Sequence, residues 1–213
     1  PDGGRHDAPY STARQGRNWR AKRNDPLAGS LAHATLMRYH ARWVLPITQP
    51  PIENGTVVEK DGLITYVGPR IAAPAGKDHD LGESILMPGL INTHTHLELT
   101  AMRGFLENCA FAQWIDKLRQ SRNEVLDDEM LLDSARFGII EGLEAGITTY
   151  ADTCASGVVM EAMRELNVRG IMFQEVFGPD PAQADSAMSD LKDRIEKLEP
   201  AQTDLGLPGV SPP

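Results

Sequence analysis

Aromatic residues make up only 6% of this 213-residue chain, and it contains just two cysteines. Cys109 and Cys154 stand far apart, so a disulfide scaffold is not indicated; free thiols in a reducing cytoplasm are the expected state. No apolar run approaches the ~20 residues that a membrane-spanning helix needs. Nothing near the start has the charged-then-apolar pattern of a signal peptide. The first residue is Pro1 rather than Met, so the true start is expected to be missing or processed. A positive excess is also lacking: 21 Lys and Arg face 30 Asp and Glu, a net charge of −9. That balance argues against nucleic acid as the main partner. What remains is the expectation of a cytoplasmic protein with no nucleic-acid or membrane partner, with homo-oligomers left open. Hydrophobic residues make up 41% of the chain, enough for a packed core.

The chain divides into three stretches. Residues 1–30 are rich in Gly, Arg, Asn, Asp and Pro and have almost no apolar periodicity, so they are expected to be a disordered tail. Six basic residues there face three acidic ones. A solvated tail, or translated sequence upstream of the real start, is the favoured reading; a basic arm for RNA or an acidic surface is the other. From Leu31 order is expected. Leu36 to Val44 reads as a strand, and Thr56–Glu59 and Leu63–Val67 flank Asp61-Gly62, a hairpin signal. Leu81–Met87 reads as a further strand.

From Pro88 strands and helices alternate, the mark of a parallel α/β arrangement. Gly89–His94, Ile147–Asp152, Val168–Phe177 and Leu205–Val210 are the expected strands. Phe111, Trp114, Ile115 and Leu118 lie on one face of a short helix. Asp127 is expected to cap a helix that turns Leu131, Ala135, Ile139 and Leu143 inward and ends at Gly146. Val158–Leu166 is the next helix. Asp185 is expected to cap a last one, with Leu191, Ile195 and Leu198 on one side.

The chemistry concentrates at His94-Thr95-His96. Residues two apart on a strand share a face, so both imidazoles project together and can hold one divalent ion. Such an ion lowers the pKa of bound water to about 7 and makes it a strong nucleophile. No histidine follows His96. Glu98 could share the side of His96 and complete a His-His-Glu set; the favoured alternative pairs it with Arg103 or leaves it lining the loop. Asp152 ends a strand on the rim where barrel enzymes place functional groups, or it caps the next helix. Glu175 could reach a substrate or form a rim ion pair. Trp114 could pack on a planar heterocycle, although its spacing suits plain core packing equally well.

The run LMPGLINTHTHLELTAMRG, from Leu86 to Gly104, resembles the first barrel strand and loop of the amidohydrolase superfamily. Its deaminase and chlorohydrolase branch is nearest, with the aminofutalosine and adenosine-homocysteine deaminase-like group most similar. VVEKDGLITYVGP and EAGITTYAD resemble the same family. The resemblance implies the N-terminal half of a (β/α)8 barrel, residues 88–213, after part of a small β-sandwich, residues 31–87. It implies one divalent metal, zinc before iron, with His94 and His96 as ligands, and a helix carrying Trp114 over the pocket; Glu98 and Glu175, by their positions, join Trp114 as candidate substrate contacts. It further implies a hydrolase of non-peptide carbon–nitrogen bonds that deaminates a small-molecule substrate, a heterocycle or nucleoside. The family's other ligands and its general acid and base belong to later strands, so the fragment is expected to be inactive alone. A non-catalytic truncated product, half of a split assembly, and a chlorohydrolase on the same fold are the alternatives.

Overall fold

A computed structural model describes residues 36–105, 107–176 and 180–211. The tail expected at residues 1–30 lies outside them. Two sheets organise the described residues. In the first, β1 (Met37–Val44) pairs antiparallel with β2 (Ile52–Lys60), which pairs antiparallel with β3 (Leu63–Pro69). Asp61 and Gly62 make the expected two-residue turn, with φ of 53° and 77°. Positive φ at both positions matches the twist of the flanking strands.

Two short strands, β4 (Lys77–Asp80) and β5 (Ile85–Leu86), run parallel to β1. The sequence reading places neither correctly. Every residue of β4 is polar and exposed, so no pattern announces it. It forms because β1 offers an open edge: Lys77 N donates to Leu36 O at 2.7 Å and Leu81 N to His40 O at 2.8 Å. The strand expected over Leu81–Met87 shrinks to Ile85–Leu86.

The second sheet is wholly parallel, in the order β6 (Leu90–Thr95), β7 (Ile147–Cys154), β8 (Arg169–Glu175) and β9 (Gly206–Ser211). Parallel neighbours need crossover connections. Helices α1 (Phe111–Glu124) and α2 (Asp128–Glu144) lie between β6 and β7, α3 (Val158–Glu165) between β7 and β8, and α4 (Ala184–Leu198) between β8 and β9. This is the α/β alternation expected from Pro88 onward.

Asp127 caps α2, its carboxylate accepting from Met130 N at 2.8 Å. Leu131, Ala135 and Ile139 turn inward as expected, but Leu143 is 41% exposed. Each step of four residues rotates a position by ~40° around a helix of 3.6 residues per turn, so a strict four-residue row drifts off the buried face. Gly142 takes the inward place, where a Cβ would meet Tyr150 Oη at 2.1 Å. α3 contributes Val159, Met160, Ala162 and Met163 to the core, and α4 contributes Leu191 and Leu198. Asp185 does not cap α4. Asp180 instead accepts from Ala182 N at 3.0 Å in the 3₁₀ turn ahead of that helix, and Asp185 falls within its first turn.

The core sits between the parallel sheet and its helices. Tyr150, Asp152 and Cys154 of β7 register with Gly170, Met172 and Gln174 of β8 on this face, and all six are buried. The opposite face is open, with Ile91 65% and Ile171 39% exposed.

Candidate active site

β6 carries the histidines to the C-terminal end of the parallel sheet. Asn92 registers with Tyr150 and Thr95 with Asp152, so three steps along β6 match two along β7. The excess is a bulge, and Asn92 Oδ1 accepts from His94 N within it at 3.2 Å. Thr95 stands opposite Asp152, which belongs to the helix-packed face. The alternation of a strand therefore sends His94 and His96 to the other face. Their ring centroids lie 5.1 Å apart with planes at 89°. His94 is exposed and His96 half-buried. His96 leaves the strand at φ −129° and ψ 75° and opens a short 3₁₀ helix, Leu97–Met102.

Two neighbouring imidazoles fit two positions around one divalent ion. Among the described residues, no third His, Cys, Asp or Glu joins them in a group that could hold a metal. Glu98 faces elsewhere. It is 2% exposed, and its carboxylate accepts from Cys154 Sγ at 2.9 Å, Ser156 N at 3.2 Å, Ala155 N at 3.3 Å and the Ser156 hydroxyl. Arg122 Nη2 lies 3.3 Å from it. The expected partner, Arg103, turns instead to Glu141, with Nη1 to Oε1 at 2.7 Å. Burial, and then the charge of Glu98, push the Cys154 thiol well above its usual range, so Cys154 acts as a neutral donor.

Asp152 is fully buried, and its Oδ1 accepts from Leu97 N at 2.7 Å. Its Oδ2 is buried with no partner among the described residues. Burial pushes the carboxyl up to about 7; the charges of Glu98 and Glu175 add to the rise and the Leu97 amide opposes it. Neither role read from the sequence describes it. β7 continues two residues past Asp152, and the N-cap of α3 is Gly157, with no side-chain bond. Asp152 fixes the backbone immediately after His96.

Trp114 is half-buried and stacks on Phe111, with centroids 6.1 Å apart and planes 16° apart. α1 buries none of its residues, so the core-packing reading of its apolar face does not hold. Glu175, at the end of β8, is half-buried and lines a small cavity with Asp190, Leu191 and Arg194 of α4. The sequence reading missed Arg122 and Ser156. Both reach Glu98 only through contacts more than twenty residues away in sequence.

The chain thus presents a parallel sheet packed by helices on one face, with a histidine pair at its C-terminal end. The chain matches the amidohydrolase family over residues 85–207, and it belongs to that family. A 5-methylthioadenosine/S-adenosylhomocysteine deaminase from Symbiobacterium thermophilum is 31% identical over 162 residues, covering 72% of this chain and 37% of the relative. The aminofutalosine deaminase of Helicobacter pylori, solved with methylthio-coformycin, superposes with a TM-score of 0.71 at 16% identity, over 83% of this chain and 43% of that one. Atrazine chlorohydrolase from Arthrobacter aurescens, solved with zinc, gives 0.68 at 20% identity, over 83% and 46%. The chain thus spans less than half the length of each of these proteins.

Proposed function

We propose that this chain carries the first two metal ligands, His94 and His96, of a hydrolase that deaminates an adenine-type nucleoside. The observation that carries the reading is the histidine pair, 5.1 Å apart on the open face of the parallel sheet, inside a segment that matches the family. The deaminase relative at 31% identity supports the substrate class. A bound divalent ion, zinc before iron, would supply hydroxide near neutral pH. Around that position the chain's own residues orient and exclude. The Asn92 bulge aims both rings at one face. Asp152 holds the Leu97 amide and so the exit of the chain from His96. Trp114, on α1, and Glu175, at the end of β8, are the substrate contacts of this reading.

The same reading assigns β6 to β9 to strands one to four of a (β/α)8 barrel over residues 88–213. Residues 31–87 belong to a β-sandwich, and the protein acts in the cytoplasm. No described helix is long and apolar enough to cross a membrane. Two imidazoles half-fill a tetrahedral set, so the 213 residues alone are expected to bind Zn²⁺ weakly, with Kd above about 1 µM, and to show no turnover.

The deciding assay measures ammonia released from adenosine, 5-methylthioadenosine and S-adenosylhomocysteine by the whole gene product. Zinc-dependent release that disappears in a His94→Ala, His96→Ala variant is the expected result. Absence of ammonia from all three, or chloride release from a chlorinated triazine instead, overturns the deaminase reading.

A further inference from the structure

Three segments meet at the Glu98 carboxylate: the 3₁₀ helix after the histidines, the β7–α3 turn and the last turn of α1. We propose that Arg122 is a positioning residue whose ion pair with Glu98 latches the last turn of α1 to the 3₁₀ helix that follows His96. What the latch serves rests on the site reading above; its existence does not.

α1 has little else to hold it. None of its 14 residues is buried, and Ile115 and Leu118 are only half-covered. Among the described residues, Lys117 reaches Cys109 in the loop just ahead, and Gln120 reaches Glu124 within the helix. The contact from Arg122 to Glu98 is the side-chain polar link that ties α1 to the body of the chain.

The two sides of the latch differ in kind. The donors that Glu98 accepts from, Cys154, Ala155 and Ser156, all lie at the end of β7 and in the turn to α3, and none in α1. Opening the helix therefore leaves no bare carboxylate, which would otherwise make undocking prohibitive. Arg122 is the weakly held side. Its Nη2 stands at 3.3 Å, longer than the ~2.7–2.9 Å of a strong charge-assisted bond, and its Nε is buried with no partner among the described residues. A permanent socket and a releasable guanidinium make a reversible clasp. Trp114 lies eight residues from Arg122, ~12 Å along the same helix, so a latch on Arg122 restrains the helix that carries the Phe111–Trp114 stack.

Hydrogen exchange of the 213-residue chain, without metal or substrate, tests this. In Arg122→Ala, amides of residues 111–124 should exchange about tenfold faster, the effect of one lost charge-assisted bond, while α2 and β7 keep their wild-type rates. Arg122→Lys, which retains the charge, should recover part of the protection. Unchanged exchange in α1, or equal acceleration of α1, α2 and β7, overturns the latch. A lysine variant no better protected than the alanine variant also overturns it. None of these readouts depends on turnover, so failure of the deaminase assay leaves the result intact.

Discussion

At Asp152 a carboxyl is withdrawn from water with one backbone amide facing it, and its pKa rises to about 7. In an unfolded chain the same group titrates near ~3.9. Between those values the folded state binds more protons than the unfolded one, so this group's contribution to stability falls as pH rises from about 4 to about 7 and is level above that. The span of roughly three units bounds the effect at ~4 kcal/mol. Asp152→Asn is uncharged throughout, so its stability relative to wild type should increase between pH 5 and pH 8, as read by urea unfolding of the metal-free protein. A difference that does not change with pH would mean that the folded carboxyl is already ionised at pH 5. At Glu98 the buried carboxylate is matched by donors from Cys154 and Ser156. Glu98→Ala leaves Arg122 and two backbone amides facing an empty position, and should cost ~3–5 kcal/mol in the same measurement. A loss below 1 kcal/mol would show that water replaces the carboxylate without penalty.

Among the elements, α2 is the most clearly specified. The Asp127 carboxylate satisfies the Met130 amide, so Asp127→Ala should lower stability by ~1 kcal/mol. Gly142→Ala should destabilise further, by ~1–3 kcal/mol, through overpacking against Tyr150, since the added Cβ would sit 2.1 Å from its hydroxyl. Thermal unfolding of both variants checks the pair, and a neutral alanine at 142 would show that Tyr150 yields. α2 was legible because its cap, apolar row and terminating glycine are local signals that agree. The Asp61-Gly62 hairpin was legible for the same reason. β4 was not, because its polar sequence becomes a strand only by pairing with β1. α1 misled in the other direction. Its apolar spacing suits a buried helix, yet burial depends on what lies opposite, and the described residues place little there. The histidine pair could be read from a spacing of two. The bulge that sets its direction could not, because a bulge is a relation between β6 and β7.

Across the whole molecule, the two faces of the parallel sheet are unequal. One is packed by α2, α3 and α4 around Met172, Ile139 and Tyr150. The other leaves Ile91, Ile171 and Leu207 at 65%, 39% and 37% exposure, and the outer edges of β6 and β9 pair with no strand among the described residues. Apolar surface beside unpaired strand edges invites association, and the net charge of −9 opposes it only by long-range repulsion, which salt screens. The 213-residue chain should therefore bind a hydrophobic dye and self-associate, more strongly in high salt than in low. Ile91→Lys with Ile171→Lys places charge on this face without touching the helix-packed core, and should reduce both dye binding and the mass measured by light scattering. The histidines share the face, so the same substitutions test whether it lies open in solution. A chain that stays monomeric and dye-free at high salt would mean that this face is covered in solution.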